Sequence, residues 1–376
     1  MRPGTITRLF IAAAAALVLA ACSSTSSRPQ PTPLGPNPEK FSIKMVWSLS
    51  LSPVDFPLDV KVQDNSAAAA DGKGEVVVFD VRTGQANWRA SVAEALSAGV
   101  GFDGNRAAVV TRLHDLVALE GGKVIWRTRL NASSHTAPLV AGGRVFVLGA
   151  DRAVSAFDGA SGRRLWTQQR PGEPLVLRQA GVLLAVGDTL VAGISGKLVG
   201  LNPSNGSIRW EAPVATPRGI NDVERLVDLV GPAFRSGDEV CVRAFQAAVA
   251  CTNAVRGTLT WTKPSAGSVG LSGDNTQLYG ADEDGTVGAW RRSDGERVWS
   301  TQNLRFRGLS APLALGAGLV VGDAQGYLHV LSKDNGDTLS RISLDGSALA
   351  GAPVLAANTL VVVTAKGLVA GLRPGN

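Results

Sequence analysis

From residue 41 onward the chain is built of short apolar runs broken by polar turns, and no 3.6-residue amphipathic pattern is sustained. This predicts strands with little helix. One phrase recurs, as VVVFDVRTGQANW, AVSAFDGASGRRLW, LVGLNPSNGSIRW and GAWRRSDGERVW. In each, an apolar strand meets a tight turn and a second strand carries a tryptophan, so the unit is a hairpin. Asp80, Asp158 and Asn202 suit the turn because their side chains accept bonds from nearby backbone N–H groups, and Gly84, Gly162, Gly206 and Gly295 permit positive φ.

The hairpins fall in register. Trp47, Trp88, Trp126, Trp166, Trp210, Trp261 and Trp299 are separated by 41, 38, 40, 44, 51 and 38 residues. A period near 40 with short strands signals a propeller or a related array, in which each Trp packs between neighbouring repeats. A further copy, LHVLSKDNGDTLS, carries Ser340 in the Trp position. The strands before these turns, near Val76, Leu116, Val154, Leu198, Ala248, Val287, Leu328 and Val369, also number eight. The last ends as GLVAGLRPGN without a Trp strand, whereas KMVWSLSL around Trp47 has a Trp strand without a preceding partner. Pairing the two closes the ring and removes the open sheet edges of a linear array. The fold expected is all-β, an eight-bladed β-propeller of four-stranded blades closed by the Trp47 strand against the C-terminal strands.

Composition fits one repeat domain spread over residues 41–376. Aromatic residues make up only 5% while glycine contributes 44 of 376 residues, so small and β-branched side chains fill the blades. Residues 1–21 carry Arg2, Arg8 and an apolar run from Leu9 to Ala21, too short to span a bilayer. They read as a signal peptide. Leu19-Ala20-Ala21-Cys22 resembles the bacterial lipoprotein pattern, which implies lipid on Cys22, and Ser23 implies sorting to the outer membrane with the propeller facing the periplasm. Residues 22–40, with Pro29, Pro31, Pro33, Pro36 and Pro38, read as an extended lipidated tether.

Removing Arg2 and Arg8 lowers the formal charge from +6 to +4. That weak field, with no basic clusters interleaved with aromatics, and the periplasmic address argue against a nucleic-acid partner. Cys241 and Cys251 flank a hairpin turn near Gln246 at the positions of Phe146 and Ala156, where they form either a cross-strand disulfide or two buried thiols. His114, His135 and His329 sit in separate repeats and form no metal motif. Asp282, Glu283 and Asp284 read as a solvated turn rather than a calcium site. No phosphate-binding loop occurs. The expectation is a protein without catalytic residues, metal or cofactor.

The repeat resembles the tryptophan-docking repeat of quinoprotein dehydrogenases and their non-enzymatic relatives. Quinoprotein alcohol dehydrogenases bind pyrroloquinoline quinone with Ca²⁺, and many hold adjacent cysteines over the quinone; this chain has no adjacent cysteines and is short for that group. Nearly its whole length is similar to the BamB family of outer-membrane protein assembly factors, lipoprotein scaffolds of the β-barrel assembly machinery. Three stretches carry the resemblance. In EPLVLRQAGVLLAVGDTLVAG, Leu175, Leu177 and Arg178 match the family's LxLR motif, which implies contact with BamA, the barrel-forming partner. In RGINDVERLVDLVGPAF, Arg225, Leu226 and Asp228 match a second contact motif, with Val230 where the family usually has an acid. VGDAQGYLH, from Val321 to His329, matches a structural stretch. The resemblance implies a non-enzymatic subunit of the Bam complex that binds BamA and assists unfolded outer-membrane clients.

The first two stretches lie in connections from a Trp strand to the next blade, nine residues after Trp166 and fourteen after Trp210. Equivalent connections of a propeller share one face, so the two predict a single patch of apolar anchors with arginine, the composition of an interface hot spot. Two other readings are a quinoprotein enzyme and a propeller holding a small ligand in its channel.

Overall fold

The computed structural model describes residues 29–170, 175–217, 219–222 and 224–375. Among them are thirty-two strands in eight four-stranded antiparallel sheets, and no helix. Blades 1 to 7 span residues 61–91, 96–129, 139–168, 183–213, 229–264, 272–301 and 313–343. Blade 8 combines residues 354–374 with the strand Ile43–Ser50, which pairs with Leu368–Pro374 and sets Trp47 opposite Gly371. This is the ring closure expected of a Trp strand left over at one end of the chain.

Burial follows strand position. The second and third strands of blade 1, Ser66–Ala70 and Glu75–Asp80, are buried on both faces between neighbouring blades, hence their runs of alanine and valine. Outer strands such as Ala86–Ser91 alternate between partly covered and exposed, and only the covered face is selected for packing.

The tryptophans pin each blade to the next. Nε1 of Trp47, Trp126, Trp166, Trp261 and Trp299 donates to the carbonyls of Val81, Gly159, Pro203, Arg292 and Lys333 in the following blade's turn, at 2.7–2.9 Å. Under those indoles lie Gly84, Gly162, Gly206, Gly295 and Gly336, each at φ between 72° and 77°, where a Cβ would come within 2.4–2.6 Å of a ring atom. The turn glycine is therefore demanded twice, by backbone conformation and by the ring above it. Trp88 meets a shorter turn, in which Glu120 pairs directly with Lys123 across Gly121 and Gly122.

Ser340 also has a structural reason. The indole of blade 7 would dock on the outer turn of blade 8, but that blade's outer pair comes from the two ends of the chain and no turn joins them. Residues 37–41 occupy this region. Lys40 N–H donates to Leu339 O at 2.8 Å, Asn37 Nδ2 to Arg341 O at 3.1 Å, and Phe41 packs against the same apolar cluster as Leu339. Further out, Thr32 N–H donates to Arg305 O and Arg307 Nη1 to Thr32 O. Residues 32–40, read from proline content as tether, are thus held against blades 6 and 7. The signal peptide and Cys22 lie outside the described residues.

Candidate functional site

Residues 175–182 run from the outer strand of blade 3, Arg164–Gln168, to the inner strand of blade 4, Leu183–Val186. Residues 214–228 run from Ile208–Pro213 to Leu229–Ser236, one blade further on. The two connections meet. Asp228 accepts the Leu177 N–H through Oδ2 at 3.0 Å and Nη1 of Arg152 through Oδ1 at 3.0 Å. Nη2 of Arg152 donates to the Leu175 carbonyl at 2.7 Å. Closer to the axis, Gly231 N–H donates to Ala180 O, Gly181 pairs with Val230, and Val182 packs with Leu229.

This arrangement leaves Leu175 and Arg178 exposed and Leu177 half-buried. Arg225 and Leu226 are half-buried; Leu226 lines a separate cleft with Val214, Phe245 and Pro264, between the second connection and blade 5. Val230 is buried, so its side chain lies away from the exposed surface that Leu175 and Arg178 form. His135 borders the same cleft as Arg152, Leu177 and Asp228. Burial, and then the charge of Arg178, hold its pKa below the ordinary histidine value against a backbone bond with Ser97.

Arg152 escaped the sequence reading. It sits in the turn between the middle strands of blade 3, where Arg152 N–H donates to Gly149 O, and GADRAV there reads as an ordinary polar turn. Its side chain is only 8% exposed because it points into the joint between the connections. Only the fold reveals that.

The remaining candidates are committed to structure. Cys241 and Cys251 face each other across adjacent strands with Cα atoms 4.0 Å apart and are disulfide-bonded, so beside Glu239 they offer no thiolate to a metal. Asp282 accepts from Arg243 Nη1 at 3.2 Å and Ser265 Oγ at 3.1 Å, Glu283 from Gln246, and Asp284 pairs with Arg305 at 3.3 Å. That turn is bonded within the chain rather than simply solvated. His114 lies in a turn at φ 66°. In the third stretch, Asp323 Oδ2 bonds Arg307 Nε at 2.8 Å and His329 Nε2 at 2.9 Å, while Oδ1 accepts the N–H groups of Gln325 and Tyr327.

Burial acts to raise the pKa of Asp323, but the bonds from His329, Tyr327 and Arg307 outweigh it and hold the carboxyl below its ordinary value. A carboxylate depressed in the folded state stabilises above its unfolded pKa, about 3.9, and loses that contribution as pH falls through the folded value. Asp345 is likewise depressed, burial opposing and Thr364 and Ser347 prevailing. The melting temperature is therefore expected to fall as pH drops below about 4. A scan in which melting at pH 3 equals that at pH 6 would contradict this assignment.

The wide part of the channel holds a cavity of about 440 Å³ between inner strands, open to solvent and lined mainly by small and apolar residues, including Leu58, Val182 and Leu349. Its charged groups, Asp59 and Lys61, pair with each other at 2.6 Å. A quinone with Ca²⁺ needs several oxygen ligands, and one carboxylate already paired with an ammonium does not fit that need.

Comparison with known proteins agrees with the geometry. The family described as "Outer membrane protein assembly factor BamB" matches residues 72–301. A protein of that description from Burkholderia pseudomallei (strain K96243) is 37% identical over 348 residues, 92% of this chain and 91% of the relative. Another, from Bordetella pertussis (strain Tohama I), is 34% identical over 87% and 86%. The crystal structure of BamB from Moraxella catarrhalis superposes with a TM-score of 0.81 at 25% identity, covering 88% of this chain and 99% of that one. A quinohemoprotein alcohol dehydrogenase from Comamonas testosteroni reaches 0.68 at 13% identity, a likeness of fold alone. On the family match and on relatives above 30% identity across most of both chains, this chain belongs to the BamB family of outer membrane protein assembly factors.

Proposed function

We propose that the protein is a non-enzymatic scaffold subunit of the outer-membrane β-barrel assembly (Bam) complex, docking on BamA and assisting assembly and insertion of barrel proteins. The observation that carries this reading is the joining of two connections, 51 residues apart at Leu177 and Asp228, into one surface that offers Leu175 and Arg178 to solvent. Apolar anchors beside an arginine are what a hot spot requires, whereas the charged groups among the described residues of the channel lining, Asp59 and Lys61, pair with each other.

Around the rim, outer strands expose Met45, Val46, Ile125, Ile208, Leu259 and Val298 beside unpaired backbone groups. Such edges suit transient pairing with extended client strands. The anchor follows from the N-terminus. Residues 1–21 serve as a lipoprotein signal peptide, Cys22 carries the lipid in the outer membrane, and the propeller faces the periplasm. Thr32 is already bonded to Arg305 in the connection after blade 6, so the reach of the tether is set by fewer residues than its proline-rich stretch of 22–40 contains.

The test is capture of the periplasmic part of BamA by residues 23–376, comparing the native chain with a Leu175→Ala, Arg178→Ala double variant. Binding is expected to weaken at least ~10-fold, about 1.4 kcal/mol, with melting little changed because both side chains are exposed. Equal binding by the two would move the docking site elsewhere. Absence of binding by both would reject the scaffold reading, and uptake of pyrroloquinoline quinone would then be measured by its absorbance.

A further inference from the structure

We infer that Arg152 is the positioning residue of the docking surface, holding Leu175 and Leu177 in place without touching the partner. The inference rests on the docking reading above. Among the described residues, two hydrogen bonds fix the backbone of residues 175–178, Arg152 Nη2 to Leu175 O and Leu177 N–H to Asp228 Oδ2. Both belong to one ion pair, because the same Arg152 holds the other oxygen of Asp228. Remove the guanidinium, and Leu175 loses its donor while Asp228 loses the charge that orients it toward Leu177.

The design is specific to arginine. A planar fork meets a carbonyl and a carboxylate at once, whereas an ammonium is a single point donor. Arg152 also sits at φ 63°, a conformation a non-glycine residue adopts at some cost, and from that backbone its side chain reaches across 76 residues of sequence to Asp228. Both partners are largely shielded, at 8% and 17% side-chain exposure. The pair is thus poorly placed for contact by a second protein, although Asp228 lies in a motif read as a contact. Asp228 acts on the partner through Leu175 and Leu177.

The test uses the mature chain with Arg152→Gln, Arg152→Lys and the Leu175→Ala, Arg178→Ala variant. Affinity for the periplasmic part of BamA and amide exchange at Leu177 in each free protein are both measured. Arg152→Gln is expected to weaken binding about 10- to 100-fold, as for loss of a charged hydrogen bond. It should also speed Leu177 exchange at least ~10-fold while the blade 3 strand Val154–Asp158 keeps its protection. Arg152→Lys should restore part of both. Adding Leu175→Ala to Arg152→Gln should cost little more, since coupled residues are not additive.

Unchanged exchange at Leu177 overturns the inference whatever the affinity. If exchange rises and the Leu175, Arg178 variant weakens binding while Arg152→Gln does not, the surface stands and positioning by Arg152 is overturned. If none of the variants weakens binding, the docking reading itself falls. Should Arg152→Gln fail to fold, Asp228→Asn is read the same way. It keeps an acceptor for Leu177 but not the charge for Arg152, with a few-fold loss expected and unchanged binding and exchange overturning.

Discussion

Deleting residues 41–51 is expected to leave a chain that no longer melts cooperatively. The strand Ile43–Ser50 supplies the outer edge of blade 8, in register with Leu368–Pro374 from Ile43 opposite Pro374 to Ser50 opposite Leu368. Trp47 crosses the seam, edge-on to Phe79 at 5.6 Å and bonded through Nε1 to Val81 O in blade 1. Ile43 and Leu51 are buried, and Leu49 packs against the cluster shared with blade 1. At about 1.5–3 kcal/mol for each fully buried large apolar side chain, Ile43 and Leu51 supply about 3–6 kcal/mol, and the partly covered Trp47 and Leu49 add to it. That is comparable with the whole net stability of a domain, about 5–15 kcal/mol. Circular dichroism of the truncated chain should show reduced β signal and a broad transition. Trp47→Ala tests the same seam more gently, at about 3–5 kcal/mol. A truncated protein melting at the native midpoint would show that the ring does not depend on this closure.

The parts legible in the sequence are those in which local rules repeat. At most joints the turn glycine answers to its own backbone and to the indole of the previous blade, so Gly84 and Gly336 announce the same joint 252 residues apart. Strand order, blade number and closure follow from that register. Even Ser340 obeys it, because at the seam no turn exists to receive an indole. What stayed hidden depends on contacts made once. Arg152 reaches across 76 residues, from a turn of blade 3 to Asp228 in the connection between blades 4 and 5, and nothing near GADRAV distinguishes it from a solvated turn. Asp228 was legible as part of a motif, but not the engagement of both its oxygens inside the chain. The docking of residues 32–40 on the propeller is hidden for a related reason. Proline content predicts extension and is silent about the carbonyls of Thr32 and Gly35, which accept from Arg307 and Arg341.

Arg243 was equally hidden, since VCVRAF reads as a strand with one polar side chain turned outward. In the fold that side chain is fully buried, with Nη1 donating to Ala281 O at 2.7 Å and Asp282 Oδ1 at 3.2 Å, and its guanidinium lies 5.6 Å from the Trp290 ring centre. Its Nε and Nη2 are buried without an acceptor. Burial pushes its pKa down to about 10 against the pull of Asp282, so the charge persists at neutral pH. Removing one partner and removing the charge should therefore differ sharply. Asp282→Ala leaves a buried cation uncompensated and is expected to cost about 3–5 kcal/mol in urea unfolding. Arg243→Met keeps much of the volume and deletes the two unbonded donors, while Asp282 retains Ser265 Oγ and partial access to water. Its expected change is within about 1 kcal/mol of native, or stabilising. Equal losses from the two variants would mean that packing, not charge, governs the joint. If the asymmetry holds, arginine here fixes how blades 5 and 6 fit rather than adding stability. Gly267 and Gly280 carry the mark of that fit, since a Cβ at either would lie 1.1 or 2.2 Å from a guanidinium nitrogen.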